Sequence, residues 1–169
     1  MPVEVRCESA GAYRYVKRLR AAALALLQAN ALEACELSLM IVDDRGIRAL
    51  NREFRHKDRA TDVLAFPQFE AIVPGATPSG AAARSAPPLP IGDVVISLDT
   101  ARRQAAASGI KPPERLQALL VHGFLHLLGY DHERSAADAR KMFARERELL
   151  AYLESRRPAS SPVRRRSRR

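Results

Sequence analysis

His122-Gly123-Phe124-Leu125-His126-Leu127-Leu128-Gly129-Tyr130-Asp131-His132 carries three of the chain's four histidines. Pro113 to Leu128 reads as a helix interrupted only by Gly123. Residues four apart on a helix share a face, so His122 and His126 can aim two imidazoles at one point without distorting the backbone. Gly129 can take the positive φ that ends a helix, and the chain can then turn back so that His132 approaches the same point from the side.

Three neutral imidazoles suit zinc, whose structural sites have four protein ligands and whose catalytic sites have three plus water. No cysteine lies nearby to supply a fourth. The expectation is one Zn2+ per chain, held by His122, His126 and His132. The same spacing occurs in zinc proteases of the metzincin type, where Glu follows the first histidine as general base. Gly123 stands in that place here, which argues against a peptidase. A phosphodiester brings its own negative charge and, in RNA, a neighbouring hydroxyl.

Upstream, Val3 to Glu8 and Leu37 to Val42 read as strands and Tyr13 to Leu32 as the helix between them. Asp43-Asp44 can cap a following helix whose apolar face uses Ile47, Leu50 and Phe54. Asp62 to Phe66 reads as a strand ended by Pro67, and Gly92 to Ser97 as a buried strand. Between them, residues 68–91 are rich in Ala, Pro, Gly and Ser and read as a mobile surface loop. Helices follow at Thr100 to Ala107 and at Ala136 to Ser155, the last with Met142, Phe143, Leu149, Leu150 and Leu153 as its apolar face. The fold class this implies is α+β: a single domain with a small mixed sheet of three to four strands, helices mainly on one side, and the zinc site at a helix end.

The 169 residues and 47% hydrophobic content suit one core. The formal charge is +9, but Arg156, Arg157, Arg164, Arg165, Arg166, Arg168 and Arg169 supply seven of those charges with no acid after Glu154, so the body is close to neutral. The expected organisation is a domain over 1–155 and a disordered Arg-rich tail over 156–169, either merely solvated or in electrostatic contact with RNA. No apolar run reaches the length of a membrane span, and the N-terminus lacks the marks of a secretory signal, so a cytoplasmic protein is expected. Cys7 and Cys35 have no metal-ligand spacing and read as reduced, packed thiols.

The histidine segment resembles the signature H-G-x-L-H-L-x-G-Y-D-H of the YbeY family, with every fixed position matched. Leu50 to Pro67 resembles that family's L-N-x-x-[YF]-R-x-K-D-x-x-T-D-V-L-S-F-P, and Gly92 to Ser97 its G-D-I-x-I-S strand. Ala65 departs from the usual Ser and Ala60 from a frequent Pro; the loop is longer, and the tail is an addition. The resemblance implies a zinc-dependent, single-strand-specific endoribonuclease acting in 16S rRNA 3′-end maturation and ribosome quality control. Single-stranded rRNA, the small ribosomal subunit and ribosome-associated proteins would be its partners. The family's metal ligands fall on His122, His126 and His132, and its functional arginine on Arg55, whose planar guanidinium suits phosphate. Asp131 is a further site residue, assisting a histidine or a water or else capping the turn. His56 is taken as a surface residue, and Thr61 and Asp62 as residues of a loop-to-strand transition that could touch the site. The remaining readings are a ribosome-assembly or RNA-binding factor with structural zinc and a zinc hydrolase of another substrate. The oligomeric state is left open.

Overall fold

The computed structural model describes residues 2–69 and 87–156. The order is β1 (Val3–Cys7), α1 (Tyr13–Ala29), β2 (Cys35–Val42), α2 (Asp44–Arg55), β3 (Val63–Pro67), β4 (Leu89–Ser97), α3 (Leu98–Ala107), α4 (Pro112–Leu127) and α5 (Ala136–Ser155). The four strands form one mixed sheet in the order β1-β2-β4-β3. β1 and β4 run parallel to β2, whereas β3 pairs antiparallel with β4. This is the expected α+β class with the upper of the two expected strand counts.

Alternation along the strands decides the layers. Leu37, Leu39 and Ile41 of β2, with Val94 and Ile96 of β4, point into the main core. There they meet α1, α4 and α5 through residues such as Leu19, Leu26, Phe124, Met142 and Leu149. Among the described residues the opposite face is covered at one end, where Ile47 of α2 packs with Val42, Leu64 and Val95. Helices therefore lie mainly on one side.

Three expectations need correction. β4 begins at Leu89, so the last residues of the 68–91 segment are strand, and residues 70–86 lie outside the described residues. Among the described residues β3 pairs with β4 only as far as Gly92, and Pro90 lies opposite Glu36 of β2 beside a register shift, a setting in which a strand tolerates proline. Phe54 is 57% exposed and lies outside the small cluster that Ile47 joins under α2; it leans instead edge-on against Phe66, with ring centroids 5.2 Å apart. Phe143 is 43% exposed and is not part of the core. Apart from Arg156, the tail lies outside the described residues. Among the described residues no helix is long and apolar enough to cross a membrane. Cys7 is half-buried and Cys35 buried, both as free thiols.

Asp62 ties the β3 edge to two helices. Its carboxylate accepts from Gln104 Nε2 of α3 at 3.0 Å and from the Val63 N–H at 2.9 Å, with Arg115 of α4 3.4 Å away. Burial works to raise the pKa of this carboxyl, yet these partners bring it below the ordinary value. A depressed carboxyl contributes stability that is present above its unfolded pKa, near 3.9, and lost as pH falls below it. Asp62→Asn is therefore expected to destabilise the chain at pH 7, with the gap to the wild type narrowing at pH 3 in chemical denaturation. A gap independent of pH would remove this role.

Candidate metal centre

α4 is buried almost all round. Leu116, Leu119, Leu120, Val121, Phe124, Leu125 and Leu127 leave only a narrow strip of the helix open, and His122 and His126 lie on that strip, each half-buried. A helix held this tightly gives its two imidazoles a fixed separation, as a preorganised ligand set requires. Nε2 of His122 and Nε2 of His126 lie 3.2 Å apart, with ring centroids at 4.9 Å.

The turn after α4 brings in the third ring. Gly129 has φ +88°. Its N–H donates to the His126 carbonyl at 3.0 Å and that of Tyr130 to Leu125 at 3.1 Å, the paired bonds of a Schellman closure. The reversed chain sets the His132 ring centroid 5.2 Å from both other imidazoles. One ligand nitrogen from each of the three lies within 4.8 Å of the others, so the cluster could hold a metal ion. Two features fit that use. Among the described residues Nδ1 of His132 is buried without a hydrogen-bond partner, which is costly unless something else satisfies it. Burial, then the neighbouring His122 and His132, push the pKa of His126 below its ordinary value and favour the neutral, ligating form.

Gly123 explains why no glutamate follows the first histidine. Its Cα faces the sheet, and a Cβ there would sit 2.7 Å from Cγ1 of Val94 and 3.2 Å from Cγ2 of Val63. Position 123 is where α4 touches β4 and β3, so no side chain from it can reach the open side of the cluster.

A family model described as "Endoribonuclease YbeY" matches residues 7–154. The chain belongs to the YbeY family. Its relatives include the endoribonuclease YbeY of Anaeromyxobacter dehalogenans, 50% identical over 149 residues, which are 88% of this chain and 70% of that protein. That of Geobacter metallireducens is 46% identical over 138 residues, 81% of this chain and 85% of that protein. A solution structure from Thermotoga maritima shares the fold, with a TM-score of 0.62 and 21% identity over 97% of this chain and 99% of that one. The family is one of enzymes that hydrolyse phosphodiester bonds within RNA.

Other YbeY-motif residues are placed less tightly. Arg55 is exposed at the end of α2 and, among the described residues, makes no hydrogen bond or ion pair. α2 and α4 pack on opposite faces of the sheet, so Arg55 is not brought into bonding contact with the histidines. His56 takes the left-handed conformation, φ +56°, that ends α2. Asp131 uses Oδ1 to accept from the Glu133 N–H at 2.8 Å and Oδ2 to face Arg134 at 3.4 Å, so it shapes the turn that carries His132. Thr61 stays by the β3 edge, where its hydroxyl lies 3.3 Å from Asp62.

Two residues that sequence reading missed come from α5. Oε2 of Glu146 lies 3.7 Å from Nδ1 of His122, the ring nitrogen other than the Nε2 that faces His126. The Phe143 ring centroid is 5.9 Å from that of His132. No spacing marks either residue, because they meet the histidines only through helix packing.

Proposed function

We propose that this chain is a zinc-dependent, single-strand-specific endoribonuclease that matures the 3′ end of 16S rRNA and serves ribosome quality control in the cytoplasm, with single-stranded rRNA as substrate and the small ribosomal subunit and ribosome-associated proteins as partners. The carrying observation is the convergence of three imidazole nitrogens within 4.8 Å at the end of a buried helix, in a chain of the YbeY family.

In this reading His122, His126 and His132 hold the zinc, with residues 1–155 as the catalytic domain. When bound, zinc would supply Lewis-acid activation of water and of the scissile phosphate. The protein's own groups do the rest. Glu146 sets a carboxylate beside His122, and Asp131 fixes the turn that presents His132. Arg55, exposed and without a partner among the described residues, is free to pair with a phosphate of the bound RNA and help hold the strand.

The test is elemental analysis of purified wild type beside His122→Ala/His126→Ala and Arg55→Glu, with cleavage of single-stranded ribosomal RNA followed on each. About one zinc per chain is expected in wild type and in Arg55→Glu, and none in the double variant. Cleavage should survive only in wild type. Zinc without cleavage in the wild type would instead favour an assembly factor with structural metal, and absence of metal would overturn the reading at its base.

A further inference from the structure

α5 buries one line of residues and leaves another beside the histidine cluster. Met142, Leu149 and Leu153 fill the core, so the helix is anchored without Phe143. Phe143 is 43% exposed, and its ring, inclined 33° to that of His132, lies beside the metal centre. Packing gives no reason for a large aromatic here. One helical turn to either side lie Arg140 and Arg147, both exposed and, among the described residues, without a hydrogen bond or ion pair. An exposed aromatic bracketed by unpaired arginines is the arrangement by which proteins hold single-stranded nucleic acid: the ring stacks on a base, and the cations take phosphates on either side.

We propose that Phe143 is the stacking platform for a base of the single-stranded RNA next to the bond that is cut, with Arg140 and Arg147 engaging flanking phosphates. The inference rests on the endoribonuclease reading and deepens it by naming a substrate subsite. A ring stacked on a flat base tolerates any of the four bases, so the subsite selects for an unpaired strand and not for sequence. In a duplex the base is already stacked on its neighbours and cannot reach the ring.

Steady-state cleavage of a single-stranded RNA oligonucleotide by Phe143→Ala, Phe143→Leu and Phe143→Tyr tests the role. Phe143→Ala and Phe143→Leu are expected to raise KM by on the order of 10-fold to 100-fold, the range for loss of one stacked base, with kcat and zinc content near wild type. Phe143→Tyr should keep wild-type KM. Leucine keeps apolar bulk beside His132 but cannot stack, so a Phe143→Leu variant with wild-type KM would overturn the proposal. The chain contains no tryptophan, so Phe143→Trp installs a single indole. In zinc-free protein its fluorescence should be quenched by a single-stranded oligonucleotide and much less by a duplex. The paired change Arg140→Gln/Arg147→Gln should lower the slope of log affinity against log salt by about 1.4, the value for two single-strand phosphates. Normal cleavage by Phe143→Trp with no quenching removes the platform and leaves the enzyme reading standing. A zinc-loaded wild type that neither binds nor cuts the RNA removes the enzyme reading, and the platform with it.

Discussion

Substituting alanine for His126 is expected to take bound metal from about one ion per chain to near zero and to abolish detectable RNA cleavage. Loss of a residue that merely supports a ligand costs roughly 10- to 100-fold in metal affinity, so removal of one of three ligands should cost more. The chain itself should survive, because α4 is held by its leucines and Phe124 and not by this half-buried ring. In chelator the variant and the wild type should melt within a few degrees of each other. Added zinc should then raise the wild-type melting temperature alone, by an increment reflecting about 2.7 kcal/mol when free metal is 100 times the Kd. The pH response of the metal-free proteins gives a second readout. The pKa of His126 is lowered in the fold, so below about 6.5 the unfolded chain takes up this proton more readily than the folded one. Wild-type stability should fall as pH drops through that interval, and His126→Ala should show a shallower fall. A wild-type melting temperature indifferent to zinc and chelator would end the metal-site assignment.

Gly123→Ala is the second large effect, and its sign is decided by space. On an exposed helix the change would stabilise by up to ~1 kcal/mol through helix propensity. Here the new Cβ would lie 2.7 Å from Cγ1 of Val94, a fully buried β-branched side chain with little room to turn. Overpacking of this kind costs about 1 to 3 kcal/mol, so a net loss of stability is expected. It should also shift α4 away from β4 and disturb the spacing of His122 and His126. Val94→Ala in the same chain should recover part of the loss, which a double-mutant cycle in denaturant would read as a coupling. Simple additivity would mean that the contact does not limit the approach of helix to sheet. Gly123→Glu should fail to fold and should create no peptidase, because the position faces the sheet.

Much of this was legible before any fold was known. His122, Gly129 and His132 carry their meaning locally: i and i+4 share a helix face, and a residue at positive φ reverses the chain. Strand alternation in Leu37 to Val42 likewise reports which residues face a core. Longer-range features left no such trace. Pro90 argued for a loop, yet it sits in a strand, opposite Glu36 of β2 and past the last residue of β4 that β3 pairs among the described residues. Phe143 and Met142 look alike in a helical pattern, and only the packing of α5 against α1 and α4 turns one inward and the other toward His132.

The sequence by itself determined the histidine cluster, the family and the local elements, because each depends on neighbours within a few positions along the chain. The tertiary structure alone decided the sheet order, the closure of position 123 to any side chain, and the presence of Glu146 and Phe143 at the site. Those depend on contacts between elements far apart in sequence, and the identity of a residue does not say which distant partner it will meet.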